Sequence, residues 1–189
     1  MLSPLERLPR KLYLGPQGLS IPQAKSNAIV SGDVIIDFFA RNKKFLRDDP
    51  LLVLIVPHGF QEGLEEFLKD DGYAPIDEGS DTRHTQYWGY TNCEYVHSSR
   101  STGGTNRTKI LLCVAGQSVA LTFSGEMGCD TSLSHGFVTW NKAYSLFPRE
   151  TFVQRQGYFL MPNINNARHH ETGDQLRLQA AAGYEVKDP

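Results

Sequence analysis

Long apolar runs are absent from this sequence of 189 residues. None approaches the ~18 residues that a membrane-crossing helix needs, so no membrane partner is expected. Cysteine is scarce: Cys93, Cys113 and Cys129 are odd in number and widely spaced. They offer neither a disulfide framework nor the paired spacing of a zinc site. Cys113 lies in the apolar run from Lys109 to Val114 and reads as a small buried hydrophobe. A strong excess of one charge is missing too, with a net charge of −2 and a pI near 6.3. That argues against a broad basic footprint for nucleic acid. Arg41, Lys43, Lys44 and Arg47 do stand close together, and the simplest reading of that run is a solvated helix end. Met1 to Gly15 carries scattered charges and prolines where a signal peptide would be continuously apolar. A cytoplasmic or nuclear protein is therefore expected.

What is present is an ordinary globular composition, 40% hydrophobic and 21% charged. The length suits a single domain with a tail. Repeated prolines mark residues 1–22 as a peripheral lead-in, residues 23–162 form the domain, and residues 163–189 hold a polar connection and a terminal helix.

The most informative stretch runs from Ala28 to Pro57. Ala28-Ile29-Val30 reads as a short strand, Ser31-Gly32 as a turn, and Asp33 as the N-cap of a helix carrying Ile35, Phe38 and Phe39 at helical spacing. Leu51-Leu52-Val53-Leu54-Ile55-Val56 is a continuous apolar run of strand length. Such a run fits a central strand buried on both faces. A second helix follows, with Phe60, Leu64, Phe67 and Leu68 on one face and a stop at Asp70-Asp71-Gly72. Together these make a unit of strand, Ser-Gly turn, helix, buried strand and helix.

This order resembles the core of the nucleotidyltransferase fold, and more narrowly the nucleotidyltransferase-like proteins abundant in mushroom-forming fungi. Ile29-Val30-Ser31-Gly32, Phe38-Phe39, Phe67-Leu68 and Gly72-Tyr73 stand in the places of that family's motifs. A second block, Ala143-Tyr144-Ser145-Leu146-Phe147-Pro148-Arg149 followed by Thr151-Phe152, is similar to a segment its members carry. The resemblance covers roughly Ser26 to Tyr158 and implies an α/β (α+β) domain, a mixed β-sheet flanked by helices with a nucleotidyltransferase-like core. It also implies that the turn at Ser31, Gly32 and Asp33 cradles a triphosphate, and that Asp130 is the third acidic position of the site.

The departures from the family pattern bear on chemistry. The Asp-x-Asp pair of the fold falls on Leu51 and Val53, and the second serine of the turn falls on Asp33. Two-metal phosphoryl transfer needs carboxylates bridging ions about 3.5–4 Å apart, and Mg²⁺ needs oxygen ligands. Leu51 and Val53 supply none. Asp130 alone remains, with Asp48 and Asp49 as candidates if the strand register slips by an even number of residues. Pro50 favours placing that pair in the turn before the strand. A carboxylate at Asp33 also competes with phosphate for the helix-start amides. The expectation is a catalytically silent member, a pseudoenzyme with no cofactor, that binds a nucleotide, another ligand or a protein partner at Ser31, Gly32, Asp33 and Asp130. The alternatives are a divergent Mg²⁺-dependent transferase using Asp130 with Asp48 or Asp49, and a plain interaction scaffold.

The rest of the chain is expected as follows. Tyr73 to His84 reads as a loop and Ser98 to Arg107 as a polar turn. Lys109 to Val114 and Ser118 to Phe123 read as strands of one hairpin. Gly136 to Trp140 reads as a strand and Asn141 to Leu146 as a short helix stopped by Pro148, with Tyr144, Leu146 and Phe147 packed on the core. Gly103-Gly104-Thr105-Asn106 lacks the Lys-Ser/Thr of a phosphate-binding loop and reads as a hairpin turn. Ser134 and His135 are adjacent, so they do not share a strand face as nucleophile and base. His169-His170-Glu171 lacks the helical spacing of a metal pair and reads as part of a polar connection. Gln175 to Ala182 reads as a helix capped by Gly183.

Overall fold

The computed structural model describes residues 20–40, 51–75, 86–87, 90–101, 104–116, 118–125, 131–160 and 169–187. In chain order the elements are α1 (Ser20–Ser26), β1 (Ile29–Ser31), α2 (Asp33–Ala40), β2 (Leu51–Pro57), α3 (Gln61–Asp70), β3 (Ala74–Pro75), β4 (Gln86–Tyr87) and β5 (Tyr90–Ser101). Then come β6 (Gly104–Ala115), α4 (Val119–Gly125), β7 (Gly136–Val138), β8 (Ala143–Ser145), β9 (Gln156–Tyr158), α5 (His169–Ala181) and β10 (Glu185–Lys187). Among the described residues the main sheet runs β3-β5-β6-β2-β1-β7-β8, with β4 beside β5. β2 and β6 are parallel, and β1 lies antiparallel to both β2 and β7. The fold is α/β, built on a mixed sheet flanked by helices.

β2 is central, as its unbroken apolar run predicts. Leu52, Leu54 and Val56 project to one side with Val30, Ile110, Leu112 and Val114. Leu64 and Leu68 of α3 and Val34 and Ile35 of α2 close that side. Val53 and Ile55 project to the other side with Ile29, Cys113 and Ala115, beneath Phe123 of α4. The residues from Leu52 to Val56 are all buried. This is the pattern of a strand covered on both faces.

The helix ends are legible in residues. α3 stops where Gly72 takes φ 88°. Tyr73 N–H donates to the Leu68 carbonyl and Gly72 N–H to the Lys69 carbonyl. α5 stops the same way: Gly183 has φ 86°, with bonds from Tyr184 to Gln179 and from Gly183 to Ala180. Both are Schellman ends, and in both the residue after the glycine is a buried tyrosine.

Several expectations are corrected. Ser118–Phe123 is not a strand: Val119–Gly125 forms α4. Val119, Thr122 and Phe123 fall at positions i, i+3 and i+4, so one helical face carries them inward. Asn141–Leu146 is not a helix. Thr139 N–H donates to the Lys142 carbonyl at 2.7 Å, closing a tight turn, and Ala143–Ser145 returns as β8 against β7. Tyr144, on the sheet's last strand, and Leu146, just after it, are consequently exposed, not packed on the core. Ser98–Ser101 and Gly104–Arg107 extend the β5–β6 ladder, pairing as far as Ser101 with Gly104. Ala74–Pro75 pairs with Val96 and Tyr95, so the stretch after Gly72 starts as a strand. α5 begins at His169, which makes His169-His170-Glu171 helical and not part of a connection. Asp33 is the first helical residue and Gly32, at φ 100°, takes the cap position: Ile35 N–H donates to the Gly32 carbonyl at 3.0 Å.

The C-terminal elements close a third cluster, in which Ile36 and Leu133 meet Ala182 and Tyr184. β10 lies parallel to β9. A Cβ at Gly157 of β9 would stand 2.7 Å from Leu133 Cγ. Because Leu133 is buried and has no free end to yield, Gly157→Ala is expected to destabilise by about 1–3 kcal/mol. Chemical denaturation measures this, and the alanine should cost much less in a Leu133→Ala background.

Candidate functional site

The turn after β1 is built from backbone. Ser31 pairs with Val53 of β2, Gly32 reverses the chain, and α2 starts at Asp33. The Ser31 hydroxyl donates to the Gly136 carbonyl at 3.1 Å, and the residue is 2% exposed. That hydroxyl ties β1 to β7 and is not offered to a ligand. Gly32 is half-buried, so the start of α2 is reachable at its backbone.

Across the ladder from Ser31, Val53 is 5% exposed. Its neighbours on that face are Ile29, Ile55, Cys113, Ala115 and Phe123, with Leu111, Val119 and Phe137 packed against them. α4 thus lies across the sheet face to which a carboxylate at this position would point. Leu51 is placed in β2 opposite Lys109 by its backbone. The Asp33 side chain and the whole of Asp48, Asp49 and Asp130 lie outside the described residues. Among the described residues, no group of three or more His, Cys, Asp or Glu side chains is arranged to hold a metal ion. No helix among them is long and apolar enough to cross a membrane.

A polar network that sequence reasoning missed stands beside this face. His135 Nδ1 lies 3.1 Å from the Thr131 carbonyl. A carbonyl can only accept, so Nδ1 carries the proton. Gln179 of α5 donates from Nε2 to Thr131 Oγ1 at 3.0 Å, and Tyr158 N–H donates to Ser132 Oγ at 2.9 Å. The segment 131–135 is thereby fastened to α5 and to β9. The Gln179–Thr131 contact joins residues 48 apart, and no local pattern announces it.

The His135 ring lies edge-on to Phe123 at 5.9 Å and to Phe147 at 6.1 Å, while Phe123 meets Phe137 at 5.1 Å. Burial pushes the imidazole below its usual pKa, and the bond to Thr131 opposes that shift only in part. A neutral histidine wedged between aromatic rings is a packing group with one satisfied donor. Ser134 occupies the adjacent 3₁₀ turn.

No protein-family model matches the chain, and no curated protein matches it.

The His135 shift has a defined sign. Its folded pKa is lowered from 6.5, so the unfolded chain binds the proton more readily. Its contribution to stability is fully present above pH 6.5 and is lost as pH falls from there toward the folded pKa. The stability difference between the parent and His135→Phe should therefore change with pH below about 6.5 and be constant above it. Urea denaturation across pH 5–8 measures this.

Proposed function

We propose that the chain is a catalytically silent, nucleotidyltransferase-like protein that binds a ligand or a protein partner at the turn opening α2. The observation that carries the silent half of this reading is Val53. The strand position where the family resemblance expects a metal-bridging carboxylate holds an apolar side chain sealed beneath Phe123. The order β1, glycine turn, α2, buried β2, α3 supports the resemblance, since it is the order on which that likeness rests. The binding half rests on Gly32, half-buried at the start of α2, because a helix start favours an anionic or hydrogen-bond-accepting group. In this reading the protein needs no resident metal and works in the cytoplasm or nucleus.

The physical argument against turnover is one of charge. A single carboxylate at Asp130 fills a small part of an octahedral magnesium shell, and water and phosphate must supply the rest. A second ion has no bridging ligand, which leaves charge on the attacking and leaving oxygens unbalanced. Purified protein incubated with labelled nucleoside triphosphates, Mg²⁺ or Mn²⁺ and candidate acceptors should show no metal-dependent transfer or hydrolysis. Turnover that needs the metal and disappears in Asp130→Asn would sink this reading in favour of a divergent transferase. A thermal shift with nucleotide in the absence of metal separates a ligand-binding protein from a plain scaffold.

Returning a carboxylate to β2 should not repair the site. In Val53→Asp the new group sits under Phe123 without water, so its pKa rises and the charged form opposes folding. The variant should be markedly less stable than the parent at neutral pH. Its deficit should narrow on acidification, because a raised folded pKa removes stability as pH climbs above the unfolded carboxyl value. Melting temperatures of the two proteins at pH 5 and pH 8 give the comparison.

A further inference from the structure

The sheet ends on β8, and no described strand pairs with its outer side. The hydrogen-bond alternation shows which groups that side offers. Thr139 N–H donates to the Lys142 carbonyl, and Leu146 N–H donates to the His135 carbonyl at 3.0 Å. Phe137 stands opposite Tyr144. In an antiparallel ladder the bonded pairs recur at every second residue. The bonded pairs are therefore His135 with Leu146, Phe137 with Tyr144, and Thr139 with Lys142. Ala143 and Ser145 lie between them and turn their N–H and C=O groups away from β7, toward the open edge. Such a row is a template for one more strand.

The side chains around that edge have a distinct chemistry. Tyr144 is 40% exposed, Leu146 53% and Trp140, in the preceding turn, 47%. The Tyr144 ring is stacked on Phe137 with centroids 4.9 Å apart, so it is held in place before any partner arrives. Lys142 and Arg149 are exposed and bracket the strand. Neither has a carboxylate partner among the described residues. From Thr131 to Leu160 the only acidic side chain is Glu150, against Lys142, Arg149 and Arg155, in a chain whose net charge is −2. The edge is thus locally cationic on a protein that is anionic as a whole.

We propose that β8 is a docking edge for an extended, acidic segment of a partner protein. The segment adds as a strand along Ala143–Ser145 and bonds their outward backbone groups. It sets apolar side chains against Tyr144 and Leu146 and carboxylates against Lys142 and Arg149. The carboxylates give the partner its orientation, and the backbone bonds fix its register. This surface is separate from the turn at Gly32, and its failure leaves the reading of Val53 untouched.

The test uses the full chain and a labelled synthetic peptide of about nine residues, a generous strand length, alternating glutamate with valine. Fluorescence anisotropy should show saturable binding at low salt that weakens as salt is raised. The variant carrying both Lys142→Glu and Arg149→Glu, with its melting point matched to the parent's, should bind about tenfold more weakly, since two weak attractions become repulsions. A peptide N-methylated at the amides of its bonding edge should not bind, and this arm needs no variant to fold. Absence of binding, equal binding of the N-methylated peptide, or equal binding of a lysine–valine peptide would overturn the proposal. Light scattering that shows the edge already occupied by a second copy of the chain, with no peptide bound, would overturn it in favour of self-association.

Discussion

Leu52, Leu54 and Val56 leave β2 on one side, Val53 and Ile55 leave it on the other, and all five are buried. A strand in that position accepts no charged side chain without a partner, because desolvation of an unpaired ion exceeds what a single side chain gains by packing. The requirement passes to its neighbours. β6 meets β2 in parallel and presents Ile110, Leu112 and Val114 to one cluster and Cys113 and Ala115 to the other. β1 closes the other flank with Val30 and Ile29 on the same alternating faces. Helices must then cover both sides, with α2 and α3 on one and α4 on the other. The architecture follows from one strand having no wet face.

The same constraint decides what the turn at Ser31 can do. In the proposed reading, a phosphoryl-transfer site there would need carboxylates on β2 that face water and metal. Val53 faces Phe123 instead, and the Ser31 hydroxyl is spent on the Gly136 carbonyl. Packing and metal chemistry compete for one sheet face, and in this chain packing occupies it. What remains reachable is backbone: half-buried Gly32, whose positive φ turns the chain from strand into helix.

The parts of this fold that could be read from residues are those set by neighbours in sequence. The apolar run of β2, the Leu64–Leu68 stripe of α3 and the glycines at Gly72 and Gly183 each carry their meaning within a few positions. The parts that could not be read are set by partners far away. β8 is a strand because β7 lies beside it; taken alone, Ala143 to Leu146 has as much helical as extended character. β10 exists because β9 accepts it in parallel, and its residues Glu185, Val186 and Lys187 show no run of their own. α4 is ambiguous in the sequence, because Val119 and Phe123 suit a strand by residue type and a helix by spacing. Of the candidate site, the apolar character of Leu51 and Val53 was visible in the sequence. The lid over Val53 was not, since it depends on which way α4 lies.

That lid is held by side chains alone. α4 spans seven residues, too few for a helix to be stable by itself. No ladder fixes it, so its position rests on side chains, above all on Phe123. That ring meets Phe137 of β7 and His135 just before it, and His135 in turn meets Phe147 beyond β8. The cover over the central strand is therefore tied by ring contacts to β7 and to Phe147 beyond β8, and the Thr131 bonds tie His135 to α5. The dry face of β2 depends on a chain of aromatic contacts contributed by residues about ten to thirty positions downstream of the helix they hold, the separation at which tertiary packing, and not local propensity, sets structure.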